Sequence, residues 1–295
     1  MGAAPEPTGS PPAVPIDAGR GPVVLLVHGQ PGRGLSWAPV ADLLSPSFRV
    51  VAPDRPGWGN HPRPATSLAG NAAALARMLA ARDLADATSP AVVVGHSLGG
   101  GIAIELALSY PELVSVLVLV SSVGVGAALG NLDRLLALPV LGEQLLRAGA
   151  LGLERAVGNV GRLAGSSLGE RVLERANRHP AVRSALAEGG RALLGRDRRS
   201  FLVEQRSLVE QTPALESRLH LVAHPTVVIH GTADHVVPAQ AARQLAAAIP
   251  GAELVMRPGL GHLLPFEEPE VVAGAVRRYW RLVTAAPPPR GVPGA

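Results

Sequence analysis

Short runs of consecutive apolar residues alternate along this chain with longer stretches whose apolar residues recur every three or four positions. The runs are Val23 to Val27, Phe48 to Ala52, Ala91 to Val94, Val116 to Val120, Thr226 to Ile229 and Glu253 to Met256. Their length and β-branched content read as strands. Leu68 to Ala81 and Leu98 to Leu108 carry helical spacing between them. Strands that are apolar at every position, rather than at alternate ones, need cover on both faces. That predicts an α/β fold, a mostly parallel twisted sheet flanked by helices.

The alternation breaks once. Residues 123–215 show helical Leu/Arg/Glu spacing, many glycines and little strand signal. They read as a helical lid inserted between two parts of one core, 22–122 and 216–283, after the sixth strand, the one ending near Val120. Residues 1–21, rich in Pro, Gly and Ala, read as a flexible lead-in, and 284–295 as a flexible tail. Leu113 to Gly130 has the apolarity of a membrane span. Its serines, glycines and β-branched centre fit a buried strand instead, so no stable membrane insertion is expected. The first residues lack a basic start followed by an apolar run, which leads to a cytoplasmic expectation.

Composition narrows the chemistry. Hydrophobic residues make up 47% of the 295 positions, enough for a large core and too many for a disordered chain. The absence of cysteine excludes disulfides, thiolate metal sites and a cysteine nucleophile. All 27 basic residues are arginine, yet the net charge is only +4, too little to suggest nucleic-acid binding. The lid holds thirteen arginines against nine acidic residues, which accounts for that surplus. Its densest cluster, Arg196, Arg198 and Arg199, has Asp197 and Glu204 beside it and reads as a solvated face. No metal cluster, phosphate-binding loop or flavin fingerprint occurs, so no cofactor is expected and the partner is a small-molecule substrate.

Gly95-His96-Ser97-Leu98-Gly99 fits G-x-S-x-G, and so does Gly165-Ser166-Ser167-Leu168-Gly169. The first copy follows a strand and opens a helix, where a sharp turn exposes the serine hydroxyl. The second has no strand before it and reads as a lid turn. Ser97 is therefore the candidate nucleophile. The Leu98 N–H, at a helix N-terminus, is a candidate donor to an oxyanion forming beside it. A second donor is expected from the loop after the first strong strand, His28-Gly29-Gln30-Pro31-Gly32, with the Gln30 backbone as best candidate.

A serine hydroxyl needs a base, and the base needs a carboxylate to hold its tautomer. His262, after the last strand in Gly261-His262, is the candidate base. Asp234, after the strand ending at Ile229, is the candidate acid. His28, His230 and His235 sit near strand ends as packed or solvated residues, and His96 is expected to point away from the nucleophile. Asp54 precedes Ser97 in the chain, so it reads as a loop-holding residue bonded to backbone amides.

Together these segments resemble the α/β-hydrolase superfamily over residues 22 to 282. They match its H-G-x-P-G loop, D-x-P-G-x-G loop, G-H-S-x-G elbow, G-x-x-D-x-x-V-P acid loop and G-H histidine loop, in that order. The resemblance implies a serine hydrolase of the esterase or lipase kind acting through an acyl-enzyme. Acyltransferase, C–C bond hydrolase and cofactor-free perhydrolase chemistry stay open on the same triad, as does a non-catalytic ligand-binding role. The serine at position 97 argues against relatives with an aspartate nucleophile.

Overall fold

The computed structural model describes residues 14–139, 141–147 and 197–285. Seven strands form one sheet: β1 (Ile16–Ala18), β2 (Val23–Val27), β3 (Arg49–Ala52), β4 (Ala91–His96), β5 (Val114–Val120), β6 (Thr226–Gly231) and β7 (Glu253–Arg257). Their order is β1-β3-β2-β4-β5-β6-β7, with β1 antiparallel to β3 and every other pairing parallel. All six expected strands occur, within about two residues at each end.

The continuous apolar runs do cover two faces. In β2, Leu25 and Val27 pack with helices α2 (Leu68–Ala81) and α3 (Leu98–Ser109) on one side. Val24 and Leu26 pack with α1 (Ala38–Leu44) on the other, where the C-terminal helix also lies. Successive strand residues point to opposite faces, so an all-apolar strand feeds two cores at once. The Ser67 hydroxyl caps α2 by accepting from the Gly70 N–H at 3.0 Å.

Three features differ from the sequence reading. Residues 16–18, expected within the lead-in, form β1. Its three residues carry no apolar run, and its edge is held by an ion pair of Asp17 with Arg49 at 2.9 Å. The strand ending at Val120 is the fifth in chain order rather than the sixth. Glu204, expected on a solvated face, is buried at 1% exposure. Residues 1–13 and 286–295 lie outside the described residues, as does the serine pattern at Ser167.

The insertion contributes α4 (Asn131–Ala137), a helical stretch at 141–147 and α5 (Arg198–Glu216), which returns the chain to the core. After β6 come α6 (Ala239–Ala248), then β7, α7 (Leu264–Glu267) and α8 (Pro269–Ala285). The chain leaves β2 toward β3 on one side and leaves β4 toward β5 on the other. The loops after β2 and β4 therefore face each other at the carboxyl ends of the strands, the place where such sheets hold ligands.

Gly274 lies on the exposed side of α8, and a methyl group there would meet nothing within 4 Å. Gly274→Ala is expected to stabilise the fold by about 1 kcal/mol, the helix-interior difference between the two residues. Urea unfolding checks this, and a lower midpoint would contradict it.

Candidate active site

Ser97 sits between β4 and α3 at φ 54° and ψ −122°, a conformation that non-glycine residues rarely hold. Its surroundings over-determine that geometry. The Ser97 N–H donates to the Val120 carbonyl at 3.0 Å, and its carbonyl accepts from Gly100 at 2.9 Å and Val123 at 3.2 Å. The turn is too tight for side chains on either flank. A methyl group on Gly95 would run into the Gly99 carbonyl, and one on Gly99 into the Val27 carbonyl. Leu98 is the first residue of α3, so its N–H belongs to the first turn that helix carbonyls leave unpaired.

His262 comes from the loop after β7. Its Nε2 lies 3.0 Å from Ser97 Oγ, and its Nδ1 lies 2.9 Å from Asp234 Oδ2. A carboxylate only accepts, so Nδ1 carries the proton and Nε2 presents its lone pair to the serine hydroxyl. Asp234, from the loop after β6, uses its other oxygen to accept from Val236 at 2.8 Å and Val237 at 2.9 Å. Burial pushes this carboxyl up. The His262 bond and charge and the two amides outweigh that push and leave it below its ordinary value. The three residues proposed from sequence are thus brought together, with Ser97 and Asp234 each only 7% exposed.

The loop after β2 lies against the serine, close enough that a methyl group on Gly29 would sit 2.9 Å from Ser97 Cβ. Gln30 follows, its side-chain amide donating to Gln205 Oε1 of α5 at 2.7 Å. Asp54 holds its loop as expected, accepting from Gly34 at 2.8 Å and Asn60 at 2.9 Å. His28 and His230 are buried and His235 is exposed. Among the described residues no group of three or more histidine or acidic residues is placed to hold a metal ion. No helix among them is long and apolar enough to cross a membrane.

A family model described as alpha/beta hydrolase fold matches residues 22–269. The chain belongs to that family. An uncharacterised protein of Mycobacterium tuberculosis is 33% identical over 89% of this alpha/beta hydrolase and 76% of its own length. A 2-hydroxymuconate semialdehyde hydrolase of Pseudomonas sp. strain CF600 is 28% identical, covering 92% of this chain and 90% of its own. A pimeloyl-[acyl-carrier protein] methyl ester esterase of Xanthomonas campestris is 30% identical, covering 88% and 96%.

Two features of this hydrolase were not found from sequence. The His96 ring lies beside that of His262, centroids 5.0 Å apart, and its Nε2 donates to the His262 carbonyl at 2.9 Å, which fastens the His262 backbone. The ring also stands edge-on to Trp37 and Phe266. Its position next to the serine was a signal, but its partner lies 166 residues away. The second feature is a buried ion pair of Arg55 with Glu204 behind the β2 loop, both side chains at most 1% exposed. No spacing rule links residues so far apart.

Burial first, and then the neighbouring His262, hold the His96 imidazole down at about 3. Burial, reinforced by Arg55, depresses His28 as well. Both stay neutral in the native state while the unfolded chain takes up protons below about pH 6.5. The unfolded state then binds more protons, so stability falls as pH drops from 6.5 toward 3. Each such histidine contributes a slope of up to about 1.4 kcal/mol per pH unit. His96→Gln is expected to remove about one proton from that slope, read from urea unfolding between pH 6.5 and 4.5. An unchanged slope would contradict a neutral His96.

Proposed function

We propose that this chain is a serine hydrolase that cleaves a carboxylic ester or related acyl bond of a small, apolar substrate through an acyl-enzyme on Ser97. The observation that carries this reading is the unbroken hydrogen-bonded line from Ser97 Oγ through His262 to Asp234. In it, Ser97 Oγ attacks the carbonyl carbon while His262 Nε2 takes the hydroxyl proton. The carbonyl electron pair moves onto oxygen, which the Gln30 and Leu98 N–H groups receive. The tetrahedral intermediate collapses, and His262 passes its proton to the leaving alkoxide. Water, activated by the same imidazole, then releases the acid and restores Ser97. Asp234 keeps the ring in the tautomer that accepts, and it offsets the imidazolium charge.

Residues 123–215 act as a lid in this reading. Their aliphatic composition, with Phe201 as the single aromatic residue, suits an acyl or alkyl substrate more than a stacked ring. The relatives' names differ in substrate, however: one is named for an ester and another for 2-hydroxymuconate semialdehyde. The latter favours C–C bond hydrolysis as a second reading on the same three residues.

Hydrolysis of p-nitrophenyl esters of graded chain length, beside a ring-cleavage semialdehyde, separates the two. Ester turnover is expected, falling by about a million-fold in Ser97→Ala and by about four orders of magnitude in Asp234→Ala. A loss under tenfold in Ser97→Ala would overturn the assignment. Cleavage of the semialdehyde with inert esters would replace the first reading by the second.

A further inference from the structure

Arg55 is a fully buried cation placed directly behind the loop that carries Gln30. Its guanidinium donates from Nε to the His28 carbonyl at 3.0 Å and from Nη2 to the Gly29 carbonyl at 2.9 Å. Nη1 donates to Asn71 Oδ1 at 3.3 Å and to Glu204 Oε1, and Nη2 also reaches Glu204 Oε2 at 3.3 Å. The same loop is held by His28. Its Nε2 accepts from the Arg55 backbone N–H at 3.2 Å, so the proton sits on Nδ1, which donates to the Gly29 carbonyl at 2.8 Å.

The Gly29 carbonyl and the Gln30 N–H belong to one peptide unit. In a trans peptide the two point in opposite directions. Two donors, Arg55 Nη2 and His28 Nδ1, therefore fix the plane of that peptide from behind and turn the Gln30 N–H away from themselves. Hydrogen bonds at the carbonyl also polarise the peptide and strengthen its N–H as a donor. On the other side, Gly29 packs on Ser97.

What orients Arg55 comes from the insertion. Glu204 lies on α5 and supplies the countercharge, while Asn71 of α2 bonds to both residues. The next residue on α5, Gln205, accepts from the Gln30 side chain at 2.7 Å and donates to Asp133 of α4 at 3.0 Å. Neighbouring residues of one helix thus grip the donor loop from two directions. We propose that Arg55 and Glu204 are a positioning pair that aims the Gln30 N–H, with Gln205 as a second tether, so that the oxyanion hole is complete only while α5 is seated. The insertion then regulates the chemistry as well as covering it. This rests on the reading of Ser97 as nucleophile.

The test uses the full chain with p-nitrophenyl butyrate and an alkyl trifluoromethyl ketone. Ser97 Oγ adds to the ketone carbon, its proton passes to His262, and the carbonyl pair becomes an oxyanion in the hole. Ketone affinity therefore reads the hole itself, while KM reads mainly ground-state binding. Glu204→Gln and Arg55→Lys are expected to lower kcat and ketone affinity together, by about tenfold to a hundredfold, with KM within about twofold. Gln205→Ala, which leaves the ion pair intact, is expected to lower both by about threefold to tenfold. Glu216→Ala removes a different contact of α5, to the Gly126 N–H, and is expected to match wild type. A merely structural role would reduce the titrated fraction of active sites without changing kcat per site or ketone affinity. That result, or unchanged values in folded Glu204→Gln and Gln205→Ala, would overturn the proposal. A folded wild type inert to both ester and ketone would instead overturn the ester-hydrolase reading beneath it.

Discussion

Ser97 is held in a left-handed backbone conformation at the point where β4 becomes α3, and the other parts of the site are arranged around that turn. The conformation is unfavourable for a residue with a side chain, so it persists only because the neighbouring backbone leaves no alternative. Glycines at 95 and 99 let β4, the turn and the end of β2 come together without side chains between them. Bonds to Val120, Gly100 and Val123 then fasten the serine to the adjacent strand, to its own helix and to the loop after β5. Widening the turn would move the hydroxyl away from the His262 ring and the Leu98 N–H away from the serine.

The sheet supplies the convergence this turn needs. Because β2 lies between β3 and β4, the loops leaving β2 and β4 meet, and parallel β6 and β7 bring the Asp234 and His262 loops to the same end. Charge is distributed with the same economy. Asp234 is buried but carries two amides and the His262 ring as partners. The neighbouring histidines, His28 and His96, are kept neutral by burial, so they contribute hydrogen bonds without setting a cation against His262. The buried Arg55 guanidinium faces a buried carboxylate, Glu204. An uncompensated charge there would be strongly destabilising.

The strands, α2, α3 and the three residues Ser97, Asp234 and His262 were readable from sequence because local rules govern them. Apolar runs specify buried strands, and a serine between glycines at a strand-to-helix junction specifies the elbow. Asp234 and His262 each follow a strand, in the chain order that the pattern predicts. What escaped was set by tertiary contact alone. β1 is three residues long, and only its pairing with β3 makes it a strand. Glu204 sits beside arginines in the sequence and looks solvated. Its burial depends on Arg55, 149 positions earlier, and on Asn71. His96 could be placed at the elbow, but its bond to the His262 carbonyl depends on how a distant loop folds back.

The proposed hydrolysis requires Ser97 to be an activated nucleophile. A fluorophosphonate probe tests it most directly, because the probe requires an activated serine and little of a substrate, and the labelled residue is read by peptide mass spectrometry. One phosphonylated residue is expected, Ser97, with labelling abolished in His262→Ala. Labelling at Ser167 instead, or a folded protein that takes up no label, would contradict it.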